Sequence, residues 1–293
     1  MSNADWPVIH QTYLGLDPAE HNLTRSRVVL LPVPYDATTS YRSGSRDGPD
    51  AILKASRDME EYDPELDRET RAVGIYTAPG LEPHAGGPTE MVQRVHDAVA
   101  WYVGQEKLVG MLGGEHSVTA GAVAAVRERH PNLSVLVLDA HADLREVYQE
   151  AEFSHANASR RMLEHAPITQ VGIRSMTADE ARLVRERDIP FFPRNADPIT
   201  DVDAILSRLT DEVYVSVDLD CFDPTFMAAV GTPEPGGMGW WEALRILRAV
   251  GERKRIVAFD VMELSPKEGP ETSAYTAAKL VYKLIGYATG DMR

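Results

Sequence analysis

Short apolar runs alternate along this chain with longer segments in which apolar residues recur at helical spacing. Runs of this length, rich in Val, Leu and Ile, predict strands that are buried on both faces. Six strands are predicted, at 27–33, 108–112, 134–140, 169–174, 212–218 and 256–263. Helices are predicted between and after them, at 89–105, 117–130, 178–187, 241–252 and 272–287.

This alternation predicts an α/β fold with three layers, in which helices cover both faces of a mostly parallel sheet. The composition shows no break, low-complexity segment or repeat of fixed period. We therefore expect a single domain over residues 1–293, with residues 1–26 as an N-terminal extension that packs on it. In open parallel sheets, ligands bind beyond the carboxyl ends of the strands, so the chemistry is expected there.

Composition and charge limit the possible functions of the protein. The chain has 293 residues, 43% of them apolar, and a formal net charge of −15, which argues against nucleic acid or an anionic membrane as a partner. Its one cysteine, Cys221, permits no intrachain disulfide and favours a reducing compartment. The sequence has neither a secretory signal pattern nor an apolar run near the ~18 residues that span a bilayer. We expect a cytoplasmic enzyme that attracts cations.

Residues that can bind metal ions follow the predicted strand 134–140. The segment "VLVLDAHADLR" places Asp139, His141 and Asp143 at every second position. In extended or tightly turned backbone, such positions direct their side chains to one side. Burying carboxylates together without a counter-charge is strongly unfavourable. A bound cation would supply that charge.

Two other predicted strands end in the same way, one in "LGGEHSVT" and one in "VSVDLDCFDP". The candidate ligands are His116, Asp139, His141, Asp143, Asp218 and Asp220. Carboxylates and imidazoles without a thiolate suit Mn²⁺, with Fe²⁺, Co²⁺ or Ni²⁺ as competitors. This set exceeds the needs of one catalytic ion. It predicts two ions per subunit, bridged by carboxylates at about 3.5–4 Å, a pair that lowers the pKa of a shared water.

The segments "GGEHS", "DAHADLR", "SVDLDCFDP" and "GTPEPGG" resemble the signature segments of the arginase/agmatinase (ureohydrolase) family, in the same order. The resemblance runs from about residue 28 to the C-terminus. "VPYD", "YRSGSRDGPDAIL" and "ELSP" also fit, most closely the agmatinase-like and aminopropylagmatinase-like members. Glu115 departs from the pattern, since many relatives have Asp there, which puts the fine orientation of His116 in doubt.

The resemblance implies a parallel sheet of about eight strands and assembly as a homotrimer or homohexamer. It also implies that Asp139 and Asp218 bridge two Mn²⁺ ions, that His155 shuttles a proton and that Glu263 pairs with the substrate guanidinium. Taken alone, His155 is more typical of an exposed loop and Glu263 of a turn. The implied ligands are His116, Asp139, Asp143 and Asp218 for one ion, and His141, Asp139, Asp218 and Asp220 for the other.

The implied reaction is hydrolysis of a guanidino group to urea and an amine. Agmatine would give putrescine, and N1-aminopropylagmatine would give spermidine, both within polyamine biosynthesis. The alternatives are another amidinohydrolase acting on guanidinobutyrate, formiminoglutamate or arginine, and a metal-binding protein of this fold without turnover. A zinc deacetylase shares the layered architecture but typically needs one metal ion.

The loop that joins Asp143 to His155 is predicted to overhang the site, because both of its ends are held there. This loop, residues 144–154, is called the mouth loop below. It carries Arg145 against Glu146, Glu150 and Glu152. An acidic mouth would favour a small cationic guanidino substrate with an amine tail over one with a carboxylate tail. The alternative is that the three glutamates only face solvent.

Overall fold

The strands and helices were located in a computed structural model that describes residues 8–195 and 197–290. The strands are β1 (Val28–Val33), β2 (Tyr62–Asp63), β3 (Arg68–Glu69), β4 (Ile75–Thr77), β5 (Leu108–Gly113), β6 (Leu133–Leu138), β7 (Ile168–Val171), β8 (Phe191–Phe192), β9 (Glu212–Asp218) and β10 (Arg255–Met262). The helices are α1 (Gly48–Ser56), α2 (Pro88–Gly104), α3 (Thr119–Arg129), α4 (Ala158–Met162), α5 (Ala178–Glu186), α6 (Val202–Leu206), α7 (Trp240–Arg253) and α8 (Thr272–Ala288).

Eight strands form one sheet in the order β4-β1-β5-β10-β9-β6-β7-β8, and every neighbouring pair is parallel. Strands β2 and β3 form a separate antiparallel hairpin. The predicted three-layer fold with a parallel sheet of about eight strands is therefore confirmed. Because all of these strands run the same way, their carboxyl ends meet at one edge of the sheet.

Two apolar cores lie on opposite faces of the sheet. On one face, Leu30 and Val217 pack with Leu244 and Leu284 from α7 and α8. On the other, Val137 belongs to the core formed with α2 and α3. The central strands are buried along their whole length because helices cover both faces, which explains their continuous apolar runs.

The edges of the sheet differ most from the elements predicted by sequence. Strands β4 and β8, with three and two residues, were not predicted because they are too short to produce an apolar run. Helices α1, α4 and α6 were not predicted either. The predicted strand 134–140 extends past the end of β6 at Leu138, so Asp139 lies just beyond the ladder.

The described part of the N-terminal extension packs on α1 and α8. Tyr13 is fully buried and its hydroxyl donates to the carbonyl of Ala278 at 2.6 Å. The amide of Leu14 donates to Ser56 Oγ at 2.8 Å. The first seven residues of the predicted extension lie outside the described residues. The single domain over 1–293 stays a prediction, and no helix within 8–195 and 197–290 is long and apolar enough to cross a membrane.

A buried ion pair joins α8 to the β2–β3 hairpin. Lys283 Nζ lies 2.7 Å from Asp63 Oδ1 and 2.6 Å from Glu65 Oε2. Burial raises the pKa of Glu65, but hydrogen bonds from Lys283 and Arg248 outweigh burial and lower it. The contribution of Glu65 to stability is therefore present above its unfolded-state pKa and is lost as the pH falls through the folded-state pKa.

Replacing Lys283 with Met is expected to lower the free energy of unfolding by about 3–5 kcal/mol, because the fully buried Asp63 loses its counter-charge. Urea denaturation at neutral pH measures the change. Lys267→Met is the matched control, since Lys267 pairs with Asp47 on the surface, and it should cost less than about 1 kcal/mol. Equal effects of the two substitutions would contradict a stabilising role for the buried pair.

Candidate metal centre and active site

The predicted site residues converge at the carboxyl ends of the four central strands. His116 follows β5, Asp139 follows β6, Asp218 ends β9 and Glu263 follows β10. These strands are neighbours in the order β5-β10-β9-β6, which brings residues far apart in sequence to one edge. A cavity of about 230 Å³ at this edge is lined by residues of the mouth loop and by six of the predicted residues, His141, Asp143, His155, Asp218, Asp220 and Glu263. His116 and Asp139 are fully buried and do not line it.

One donor group surrounds His116. Its Nδ1 lies 3.2 Å from Asp139 Oδ2, 3.3 Å from Asp218 Oδ2 and 3.6 Å from Asp143 Oδ2. His116 and Asp139 are fully buried, and Asp143 and Asp218 are nearly so. Four donor side chains therefore face one another with little access for solvent.

A second donor group surrounds His141. Its Nδ1 lies 2.8 Å from Asp220 Oδ2 and 3.8 Å from Asp139 Oδ1. Asp139 thus directs one carboxylate oxygen to each group. Asp218 uses its other oxygen, Oδ1, to accept the amide hydrogen of Asp220 at 2.9 Å. The structure brings all six predicted ligands together in two groups that share Asp139, and ligand atoms of each group lie close enough to hold a metal ion.

The electrostatic environment of both donor groups favours a positive charge among their carboxylates. Burial lowers the pKa of His116, but the neighbouring carboxylates outweigh burial and raise it well above its usual value. Burial also lowers the pKa of His141, but the carboxylates, Asp220 above all, outweigh burial and raise this pKa to about 11. Burial, Asp220 and Asp143 raise the pKa of Asp139 to about 8. These opposed carboxylates and imidazoles favour a positive charge between them, and a divalent ion that binds there would displace protons.

Two buried atoms are better placed to bind a metal ion than to form a hydrogen bond with another protein group. His116 Nδ1 and Asp139 Oδ2 face each other, yet neither has a hydrogen bond of acceptable geometry. Buried polar atoms are rarely left unsatisfied, because each costs about 1–3 kcal/mol. An imidazole nitrogen and carboxylate oxygens without a thiolate are donors for a hard or borderline divalent cation. The residues therefore fit the metal ions that the sequence predicts.

The ring of His116 is oriented by residues that the sequence analysis did not select. Its Nε2 lies 2.9 Å from Ser216 Oγ, and Ser216 Oγ donates to Asp260 Oδ1 at 2.8 Å. The hydroxyl of Tyr214 donates to the other oxygen of Asp260 at 2.7 Å. Contacts of this kind fix ring orientation in metal sites. The only sequence signal was the acidic Asp260 near a strand end.

Glu263 is held at the base of the cavity. Its Oε1 accepts the amide hydrogen of His116 at 2.6 Å, and its own amide donates to the carbonyl of Gly114 at 2.9 Å. Its φ is +66°, and that of Asp143 is +50°. Residues other than glycine seldom adopt positive φ, and such strain is concentrated at functional sites. The fold therefore keeps both side chains in a conformation that they would rarely adopt alone.

Glu115 positions the loop after β1, whereas the sequence suggested an effect on the His116 ring. Its Oε2 accepts the amide of Thr38 at 2.6 Å, and its Oε1 accepts the hydroxyls of Thr38 and Ser117. Thr38 Oγ1 in turn accepts the amide of His155 at 3.1 Å. Gly114 lets this happen, because a Cβ there would lie 1.9 Å from the carbonyl oxygen of Tyr35. Glu115 therefore supports the backbone of His155.

His155 lies in the wall of the cavity and is half-buried, unlike the exposed loop histidine that its sequence context alone suggests. Its Nε2 lies 3.0 Å from the hydroxyl of Ser40, which is exposed. Its Nδ1 is buried and has no hydrogen-bond partner. Burial lowers the pKa of the imidazole, and Asp143 partly offsets that effect. One ring nitrogen thus contacts a hydroxyl near solvent and the other is free.

Arg174 holds the Asp220 segment in place, and its role was also not predicted. Its guanidinium donates to the carbonyls of Asp220 at 2.8 Å and Glu234 at 2.6 Å. The segment "GTPEPGG", which contains Glu234, also supplies Thr232, whose hydroxyl donates to Asp220 Oδ2 at 3.2 Å. The segment 231–237 therefore supports the candidate ligand Asp220 through a hydrogen bond to its carboxylate.

Comparisons with known proteins agree with this arrangement. A model of the arginase family matches residues 26–286. The N(1)-aminopropylagmatine ureohydrolase of Synechocystis sp. is 42% identical over 270 residues, which cover 89% of this chain and 88% of the relative. The protein of the same name from Thermus thermophilus is also 42% identical, over 89% of this chain and 90% of its own length.

This chain belongs to the arginase family. A crystal structure of the agmatine ureohydrolase of Thermoplasma volcanium matches it with a TM-score of 0.85 at 30% identity, covering 92% of each chain. The family resemblance seen in the sequence is therefore confirmed. The two donor groups could hold metal ions, in keeping with the binuclear-metal dependence of the arginase family.

The mouth loop of this arginase-family chain is not the acidic rim that the sequence predicted. Glu146 pairs with Arg160 and, at 3.2 Å, with Arg161. Glu152 lies 3.4 Å from Arg161. The two arginines belong to α4, a helix absent from the sequence prediction, and they offset the charges of Glu146 and Glu152, whereas Glu150 is exposed. Arg145, by contrast, lines the cavity.

We expect Ser216→Ala to weaken metal binding about 10- to 100-fold, because His116 loses the partner that orients its ring. Competition with a chelator measures the affinity. Ser134→Ala is the matched control, since Ser134 is also buried in the sheet but bonds to Thr210, away from the donor groups. Unchanged affinity in Ser216→Ala would show that the ring needs no such support.

Proposed function

We propose that this protein hydrolyses the guanidino group of agmatine or N1-aminopropylagmatine, releasing urea and an amine. The names of its relatives support the substrate class. The observation that carries the proposal is the pair of donor groups sharing Asp139, in one cavity with Glu263 and His155. This combination offers cation binding, guanidinium recognition and proton transfer at one place.

The proposed cofactor is a pair of Mn²⁺ ions, with Fe²⁺, Co²⁺ or Ni²⁺ as alternatives. Asp139 and Asp218 would bridge the ions. When bound, the ions would supply Lewis acidity and a strong nucleophile from water at neutral pH. The complete proposed ligand set is His116, Asp139, Asp143 and Asp218 for one ion, and His141, Asp139, Asp218 and Asp220 for the other.

Glu263 is proposed to orient the substrate. One of its oxygens is occupied by the amide of His116, which leaves Oε2 to accept from a planar guanidinium. Because the charge of a guanidinium is spread over three nitrogens, its carbon is a poor electrophile and must be held in a fixed position. A charge-assisted hydrogen bond to a rigid carboxylate provides that orientation.

His155 is proposed to deliver the proton that the departing amine requires. Its Nε2 contacts the hydroxyl of Ser40, which also lines the cavity, and its Nδ1 has no hydrogen-bond partner within the described residues. The exposed Ser40 hydroxyl gives the imidazole a route for exchanging protons with solvent. An imidazole can both accept and donate a proton near neutral pH, because its ordinary pKa is about 6.5.

We further infer that the protein works in the cytoplasm as a homotrimer or homohexamer. The lone Cys221 is buried and free, which suits a reducing compartment. Trp101 and Trp241 are exposed at 56% and 71%, and large exposed aromatic side chains are typical of surfaces that associate.

Manganese-loaded protein is expected to release urea from agmatine or aminopropylagmatine with kcat/KM at least ~10²-fold above that for arginine. Urea release from a panel that also contains guanidinobutyrate and formiminoglutamate tests this. Asp139→Asn should lose both activity and bound metal, because Asp139 serves both donor groups. Asp211→Asn, at a fully exposed side chain, is the matched control. Metal binding without urea from any compound would favour a protein without turnover.

His155→Ala is expected to retain its metal but lose turnover on the order of 10²-fold, because proton transfer to the leaving amine disappears. Metal content and kcat are measured on the same preparation. His130→Ala serves as the control, since His130 pairs with Glu212 at the opposite end of the sheet. An unaltered kcat across the pH range would remove His155 from the reaction.

A further inference from the structure

A tight turn in the mouth loop fixes the ring of Tyr148 beside the cavity. Tyr148 and Ala151 exchange two backbone hydrogen bonds of 3.0 and 2.9 Å. Between them, Gln149 and Glu150 have φ values of +47° and +65°. Two successive positive φ angles are typical of type I′ turns. The ring is therefore presented by a defined turn and not by an irregular loop.

The Tyr148 ring contacts His155 on one side and a cation on another. It meets the imidazole in a T-shaped contact, with ring centroids 5.5 Å apart and planes at 89°. The guanidinium carbon of Arg145 lies 4.8 Å from its centroid. All three side chains line the same cavity as Glu263. The ring thus stands next to the proposed proton donor and already accommodates a cation on its face.

Arg145 has no other partner that would hold it there. Within the described residues its guanidinium makes no hydrogen bond or ion pair, since Glu146 and Glu152 are engaged by α4. An exposed cation on an aromatic face is bound by only about 0.5–1 kcal/mol. The guanidinium is therefore easily displaced by another cation that is anchored more firmly.

The charges that line the cavity favour such a cation. The lining includes one arginine and no lysine within the described residues, against five carboxylates. Four of the carboxylates are accounted for by the proposed ligands and by Glu263, and the fifth is Glu180. Glu180 accepts the amides of Leu144 and Thr177 and stays buried. Once the ions and a guanidinium are bound, Glu180 and Arg145 remain as the charges nearest to the substrate tail.

We propose that the face of Tyr148 is the subsite for the tail ammonium of the substrate, which takes the place of the Arg145 guanidinium. The inference rests on the proposed function, because it assumes a guanidino group held at Glu263. Tyr148 is then the residue that selects dicationic guanidines, and Arg145 is a built-in competitor that moves to solvent when the tail arrives. The mouth loop acts on specificity through an aromatic ring and not through its glutamates.

The experiment compares agmatine with pentylguanidine, in which a methyl group replaces the ammonium at nearly the same length. Urea release by the manganese-loaded full chain gives kcat and KM for both. Tyr148→Leu should lower kcat/KM for agmatine about tenfold more than for pentylguanidine, mainly through KM. Tyr148→Phe keeps the aromatic face and should restore the preference. Val147→Ala, at the exposed neighbouring residue, is the control.

Arg145→Ala supplies a second, independent measurement. Removal of the competitor should raise kcat/KM for agmatine severalfold and leave the preference for agmatine over pentylguanidine at least as large. A lower or unchanged kcat/KM for agmatine in Arg145→Ala would rule out displacement of the Arg145 guanidinium by the substrate tail. Equal losses for both substrates in Tyr148→Leu overturn the subsite, because the ring would then only support His155. If the parent protein releases urea from neither compound nor from aminopropylagmatine, the proposed function itself fails, and the inference with it.

Discussion

The repulsion among aspartates buried at the carboxyl edge of the sheet is the constraint on which this structure depends. Asp139, Asp218 and Asp220 have almost no exposure, yet each is placed within reach of the others. Hydrogen bonds from backbone amides offset part of this repulsion. The amide of His141 donates to Asp139, the amide of Asp220 donates to Asp218, and the amide of Ala140 donates to Asp220. The opposite oxygens face the histidines, where a cation can complete the site.

The parallel sheet makes such a concentration of charge possible. Four neighbouring strands end at the same edge, and each contributes one to three of the site residues at its end or in the turn that follows. The rigid core below keeps those residues close even though they repel. Ser216, which bonds to the His116 ring and donates to Asp260, then fixes the direction of His116, and Arg174 holds the backbone of Asp220. Packing energy from the two cores thus supports an arrangement that is unfavourable by itself.

The central fold and the donor residues could be predicted from sequence because both leave local signals. Buried strands are continuous apolar runs; Asp139 follows such a run at once, and His116 follows one after a short glycine turn. Ser216 and Thr38 could not be found, since they are common residue types whose partners lie 100 and 77 positions away. The mouth loop was misjudged for the same reason: counting charges along it ignores Arg160 and Arg161, which reach it from a helix too short to be recognised.

The turn after β5 has a consequence for how such a site can vary. Two successive residues, Glu115 and His116, bond respectively to Thr38, which carries the His155 backbone, and to Glu263. Glu263, proposed to hold a guanidinium, and His155, proposed to move a proton, are therefore connected through one peptide unit. The mouth loop contacts His155 through the ring of Tyr148. The residues proposed for the reaction and those proposed for the choice of substrate tail thus lie in two separable parts of the site, and the second part can change in sequence while the first keeps its geometry.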